Sequence, residues 1–171
     1  CKEATIWFGE LAGNAPFRAT ALPSGETLAG HPLDALAERS TLGSWIFDPD
    51  PAVVRAGLVD LLAETLGLRR LDDAEEYLTG DGYVASPFIQ AFEVIDSVPN
   101  NEAEFRRAVR RHDLGPLEIK CRHIPVAAEA LRRRLPRGGG KPGVLIFARE
   151  QRKARAVLAR RSSVNEDDAQ G

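Results

Sequence analysis

The chain has 171 residues, 43% of them hydrophobic and 28% charged, with a formal net charge of −2. That length supports one well-filled core, or one domain with an appendage. Its apolar runs, such as Val144 to Ala148, are far too short to span a bilayer. The two cysteines, Cys1 and Cys121, lie far apart without metal-ligand spacing, which argues against a disulfide framework and points to a reducing cytoplasm. The small net charge conceals a division. Residues 1–100 carry 6 Lys and Arg against 16 Asp and Glu, whereas residues 101–161 carry 17 against 6. A basic segment of that strength points to an anionic partner.

The chain opens in strand-like alternation, without a leader pattern, and contains no Met. Both features read as a piece of a longer protein whose remainder lies upstream. Residues 3–8 and 17–22 read as strands, with Thr, Ile and aromatics on a two-residue period. Gly13-Asn14 and Ser24-Gly25 supply the turns. Residues 30–44 have no period and read as loop. At Trp45 the chain changes character. Asp50 suits an N-cap and Pro51 the first helical position, and the stripe Val54, Leu58, Leu61, Leu62, Thr65 and Leu66 predicts one helix over 51–66, closed by Gly67. Residues 77–82 read as a short strand running into a turn. Then follow a strand at 87–96, a helix at 101–112, a strand at 116–123, a helix at 125–135, a flexible break at Gly138-Gly139-Gly140, and a hairpin of 143–149 with 154–160. Residues 162–171 are polar and acidic and read as a disordered tail.

This order predicts an α+β fold, a mixed β-sheet with helices packed mainly on one face. Residues 1–45 read as a β segment at a junction with a missing N-terminal domain, 46–161 as the main domain, and 162–171 as the tail.

Two sets of residues are candidates for function. The first is basic. On the helix at 101–112, Arg106, Arg107, Arg110 and Arg111 face outward while Phe105, Ala108 and Val109 face the core; Arg132, Arg133 and Arg134 lie beyond the apolar side of the next helix. With Lys120 and Arg122 they offer phosphate contacts. The alternative is that they pair with the acidic half. Glu118 and Lys120 share a strand face, where a cross-strand salt bridge and a nucleic-acid contact are equally open. The second set, Asp48, Asp50, Arg55 and Asp81, could line a mouth shared with another domain. The competing reading makes Asp50 a cap, Asp48 and Arg55 a local ion pair, and Asp81 part of a turn. The three histidines are scattered, so no metal site is expected. The glycine cluster lies between helix and strand, the wrong context for a nucleotide loop, so neither cofactor binding nor catalysis is expected of this chain alone.

Asp48 to Gly57, then Tyr77-Leu78-Thr79-Gly80-Asp81, then Leu117-Glu118-Ile119-Lys120 together resemble the C-terminal THUMP-like domain of bacterial class I S-adenosylmethionine-dependent methyltransferases. The opening Cys1 to Ala4 and Trp7 to Gly9 are similar to the segment where those proteins leave their methyltransferase domain. Where the family carries a further base and a glycine after Lys120, this chain has Cys121 and His123. The resemblance implies a THUMP-like fold and an RNA partner, transfer or ribosomal, presented to an N-terminal methyltransferase domain of the same protein that holds S-adenosylmethionine. The alternative it leaves open is a structural or dimerisation module with no RNA contact.

Overall fold

The computed structural model describes residue 9, residues 14–136 and residues 138–162. The strand expected at 3–8, Trp7 and nearly all of the acidic tail lie outside these. The chain enters through a small antiparallel pair, β1 (Phe17–Thr20) and β2 (Thr27–Gly30). The second strand is absent from the sequence reading, because four residues of Thr-Leu-Ala-Gly are too few to display a period.

Next comes β3 (Trp45–Pro49), at the predicted change of character. The stripe read as one helix makes two, α1 (Pro51–Ala56) and α2 (Val59–Leu66). Gly57 adopts φ 71° and sends its N–H to the carbonyls of Val53 and Val54, which stops the first helix a turn and a half after it begins. Asp50 caps α1 as expected, its Oδ1 accepting from the Ala52 N–H at 2.7 Å. Then follow β4 (Arg69–Arg70), β5 (Leu78–Gly80), β6 (Ile89–Pro99), α3 (Glu102–Arg111), β7 (Leu114–Cys121), α4 (Ala128–Arg134), β8 (Lys141–Glu150) and β9 (Lys153–Arg161). The β8–β9 connection is a two-residue turn with positive φ at both Gln151 and Arg152, the geometry that matches strand twist in tight hairpins.

β3 to β9 form one seven-stranded sheet in the order β4-β5-β3-β6-β9-β8-β7. Only β7 and β8 run parallel, joined through α4; the other pairs are antiparallel. The sheet is therefore mixed, as the element order predicts. All four helices among the described residues lie on one of its faces. Phe47 pairs with Ala91, and Glu93 with Arg160, so by two-residue parity Phe47, Ala91 and Leu158 point the same way. Phe47 and Ala91 pack with Val53, Leu58 and Leu62 of α1 and α2, and with Ala19 and Ala21 of the entering chain. Farther along the same face, Leu145, Phe147, Ala156 and Leu158 pack with Phe105 and Val109 of α3 and Leu131 of α4.

The opposite face carries a third apolar cluster of Ile46, Phe92, Val144, Ile146 and Val157, covered by Leu71 and Tyr77 from the β4–β5 connection. That face is concave. Flat strands about 4.8 Å apart would place β3 and β7, four steps from each other, roughly 19 Å apart. Yet Asp48 of β3 lies 2.9 Å from the Lys120 ammonium of β7 and 2.6 Å from the guanidinium of Arg122 just beyond it. The twist of the sheet has curled it until two distant corners touch.

Candidate nucleic-acid interface

α3 is assembled from its ends inward. Asn101 caps it, Oδ1 accepting from the Ala103 N–H at 2.9 Å. Glu102 and Glu104 sit in its first turn and Arg110 and Arg111 in its last, each sign at the end of the helix dipole that favours it. Phe105, Ala108 and Val109 are buried, and Phe105 meets Phe147 edge to face at 5.7 Å. That periodicity turns the arginines away from the sheet. α4 repeats the arrangement more briefly, with Leu131 buried and Arg132, Arg133 and Arg134 exposed.

These arginines differ in how they are held. Arg106 lies 3.6 Å from Glu102, and Arg134 reaches the same carboxylate at 2.9 Å, so α3 and α4 lie side by side with Glu102 as a bridge. Arg107 pairs with Glu104 at 3.1 Å, and Arg111 approaches Asp96 at 3.5 Å. Arg132 pairs with Glu129. Among the described residues Arg110 and Arg133 have no ion-pair partner, and both are exposed. Seven arginines thus share the outer surface of two adjacent helices with three glutamates belonging to them. Asp96 reaches α3 because a β-bulge between Val94 and Asp96 shifts the register of β6 and re-aims its side chain.

Lys120 and Arg122 stand elsewhere. Both face the concave side, and their side chains are only 19% and 20% exposed. Arg122 grips Asp48 through two nitrogens and also donates to the Pro49 carbonyl at 2.6 Å. Burial alone would lower its pKa, but Asp48 outweighs that and holds it above the ordinary arginine range. Lys120 lies 5.3 Å from the centre of the buried Phe92 ring, and Arg122 5.6 Å from that of Tyr77. Glu118 accepts three hydrogen bonds from two nitrogens of Arg161 of β9, the shortest 2.7 Å, and lies 3.7 Å from Lys120. Glu118 thus stands in ion pairs with Lys120 along its own strand and with Arg161 of β9, beyond β8. The Tyr77 hydroxyl is pushed well above its usual range by burial and then by Asp48.

The four residues read as a mouth do not converge on one another through any bond among the described residues. Asp48 is the corner ion pair, Asp50 the cap, and Asp81 pairs with Arg69 at 2.7 Å. Arg55 is exposed and has no ion pair among the described residues. The suggested Asp48–Arg55 pair is therefore corrected: sequence neighbours were outcompeted by cations that the curled sheet delivers from the far edge.

Two features escaped the sequence reading. Glu75, Glu76 and His123 bring three potential metal-ligand atoms within 4.8 Å of one another. Glu75 is fully buried; its carboxylate accepts the Arg149 N–H at 2.9 Å and the Glu76 N–H at 3.1 Å. His123 pairs with Glu76. The signal was a pair of acids in a segment whose docking only the fold reveals. The second feature is Gly139. A Cβ there would lie 2.3 Å from the backbone of Leu114, so the glycine run is a close-packed crossing at the start of β7 as well as a connection. It lies between α4 and β8, which is not the strand-to-helix setting of a nucleotide loop.

Residues 89–161 match the family model described as THUMP domain-like. This segment is a THUMP-like domain. It spans β6 to β9 with α3 and α4, and so includes every arginine on the two helices. The chain is also 38% identical over 149 residues to two proteins of Mycobacterium tuberculosis, from strains CDC 1551 and H37Rv. Both carry the name uncharacterized S-adenosylmethionine-dependent methyltransferase. The match covers 86% of this chain and 41% of each relative, so the chain spans less than half their length. A solved structure from Porphyromonas gingivalis W83, of a protein provisionally named a methyltransferase, superposes with a TM-score of 0.58 at 20% identity, covering 77% of this chain and 32% of that one. At that identity the likeness establishes the fold of the THUMP-like domain and its surroundings. No helix among the described residues is long and apolar enough to cross a membrane.

Proposed function

We propose that this chain is the substrate-recognition part of an S-adenosylmethionine-dependent methyltransferase, with residues 46–161 as its folding unit. It binds RNA, transfer or ribosomal, and orients it for a catalytic domain that lies outside this chain, holds the cofactor and works in the cytoplasm. The observation that carries this reading is the arginine-rich outer layer of α3 and α4 within a THUMP-like domain, where Arg110 and Arg133 have no acidic partner among the described residues. Arginine neutralises phosphate and releases counterions, and its planar fork suits bidentate contact with phosphate oxygens. Asp48, Asp50, Arg55 and Asp81 remain candidates for the border with the catalytic domain.

The test is binding of the chain to a mixed transfer and ribosomal RNA pool across a salt series. Each phosphate engaged adds about −0.7 to the slope of log affinity against log salt for single strands. A slope steeper than about −1.4, reduced when Arg110 and Arg133 become Ala, supports the proposal; absence of binding at low salt removes it. One observation favours a second reading, a structural module. Lys120, Arg122 and Arg161 are bound to Asp48 and Glu118, so part of the basic charge is consumed in holding the sheet together.

A further inference from the structure

A groove of about 550 Å³ lies between β7 and α4, a volume within the usual range for small-ligand sites of about 300–1,000 Å³. A second hollow, beside Asp72 and Arg152, is about 180 Å³. The larger groove has two kinds of wall. Pro116 and Leu117 of β7 face Leu135 and Pro136 at the end of α4, which gives apolar sides. Arg132 and Arg133 stand on the rim with Glu129. Arg132 and Glu129 pair with each other, and Arg133 is left with its charge unmatched among the described residues. Two guanidinium groups against one carboxylate leave one positive charge, the complement of one phosphodiester.

β7 is also the last strand of the sheet, so its outer edge offers backbone N–H and C=O groups that no neighbouring strand among the described residues uses. A nucleotide presents matching chemistry: one charge on the phosphate, two apolar faces on the base, and donors and acceptors along its edge. Unpaired RNA is read in this way, by stacking and edge contacts, whereas a duplex keeps its bases inside.

We infer that this groove receives one unpaired nucleotide of an RNA strand, its phosphate on Arg133 with Arg132 and its base between Pro116, Leu117 and Pro136. The inference rests on the RNA reading above and adds to it a preference for single strands and a place for the base.

The experiment is photocrosslinking of the chain to a short unstructured RNA bearing 4-thiouridine, with the crosslinked peptides mapped by mass spectrometry. A duplex of the same sequence is the second arm. Crosslinks within 115–117 or 135–136 from the single strand are expected, absent from the duplex. Their yield should fall about tenfold in R132A/R133A, as loss of charged hydrogen bonds implies. Both arginines are exposed, so the variant should keep its circular dichroism and thermal transition. RNA binding with crosslinks elsewhere, or with crosslinks unmoved by R132A/R133A, overturns the groove and leaves the arginine surface standing. No RNA bound in either arm overturns both.

Discussion

Asp48 holds two cations at once, 72 and 74 residues away in sequence, at the point where the curled sheet meets itself. Its side chain is 15% exposed, so removing its charge strands Lys120 and Arg122 in a poorly solvated place. Asp48→Asn should cost about 3 kcal/mol, the usual scale for breaking a buried pair, read as a lower urea midpoint at unchanged slope. A loss within 0.5 kcal/mol, the range typical of surface substitutions, would show that the corner contact does not hold the fold. Glu75 and Asp72 make opposite predictions with pH. Burial pushes the Glu75 carboxyl above its ordinary value of 4.5, against the lowering pull of the Arg149 and Glu76 N–H groups and of His123. The folded state then binds that proton more tightly, so stability relative to Glu75→Gln should rise as pH falls from 7 towards 4.5. Asp72 is also buried, but the N–H groups of Ala74 and Arg152, with the charges of Arg149 and Arg152, win and hold it below 3.8. Its contribution is present above 3.8 and lost as pH falls through its lower folded value, so Asp72→Asn should lose its effect only there. Denaturation of the three proteins at several pH values separates the two trends. Asp48 was visible in the sequence as a polar residue before a helix, but local context suggested Arg55. Nothing local could announce partners brought in by sheet curvature.

At the scale of elements, periodicity was enough for α3 and for the β8–β9 hairpin, whose apolar residues alternate or repeat without interruption. It failed where geometry is set by one backbone angle. The stripe through 51–66 is continuous, so it hid the break at Gly57, and the glycine was the only local signal. Gly57→Ala should cost about 1–2 kcal/mol, since a residue with Cβ is penalised by that much in the left-handed region, and the new methyl would sit 3.2 Å from Cγ of Pro32. A stabilised protein would mean that one longer helix is tolerated. The strands β2 and β4 were missed because each is too short for a pattern; they exist because β1 and β5 supply the pairing. Arg110→Ala and Arg133→Ala should each change stability by less than about 0.5 kcal/mol, because neither side chain has an ion-pair partner among the described residues. A larger loss in a thermal melt would reveal a structural role for either.

The whole molecule divides its basic charge between two duties. On the concave side, Lys120, Arg122 and Arg161 are consumed by carboxylates of the sheet; on the helical side, the arginines of α3 and α4 face outward. The division of charge between the two halves of the chain was plain in the sequence, but which arginines serve which duty required the fold. The most direct measurement compares R110A/R133A with R122A in the same two assays, RNA affinity at low salt and urea unfolding. The account predicts that R110A/R133A loses affinity about tenfold or more with its unfolding midpoint unchanged, and that R122A is destabilised while retaining its affinity wherever it remains folded. Affinity lost in folded R122A but kept in R110A/R133A would contradict it, and would move the RNA contact to the concave face.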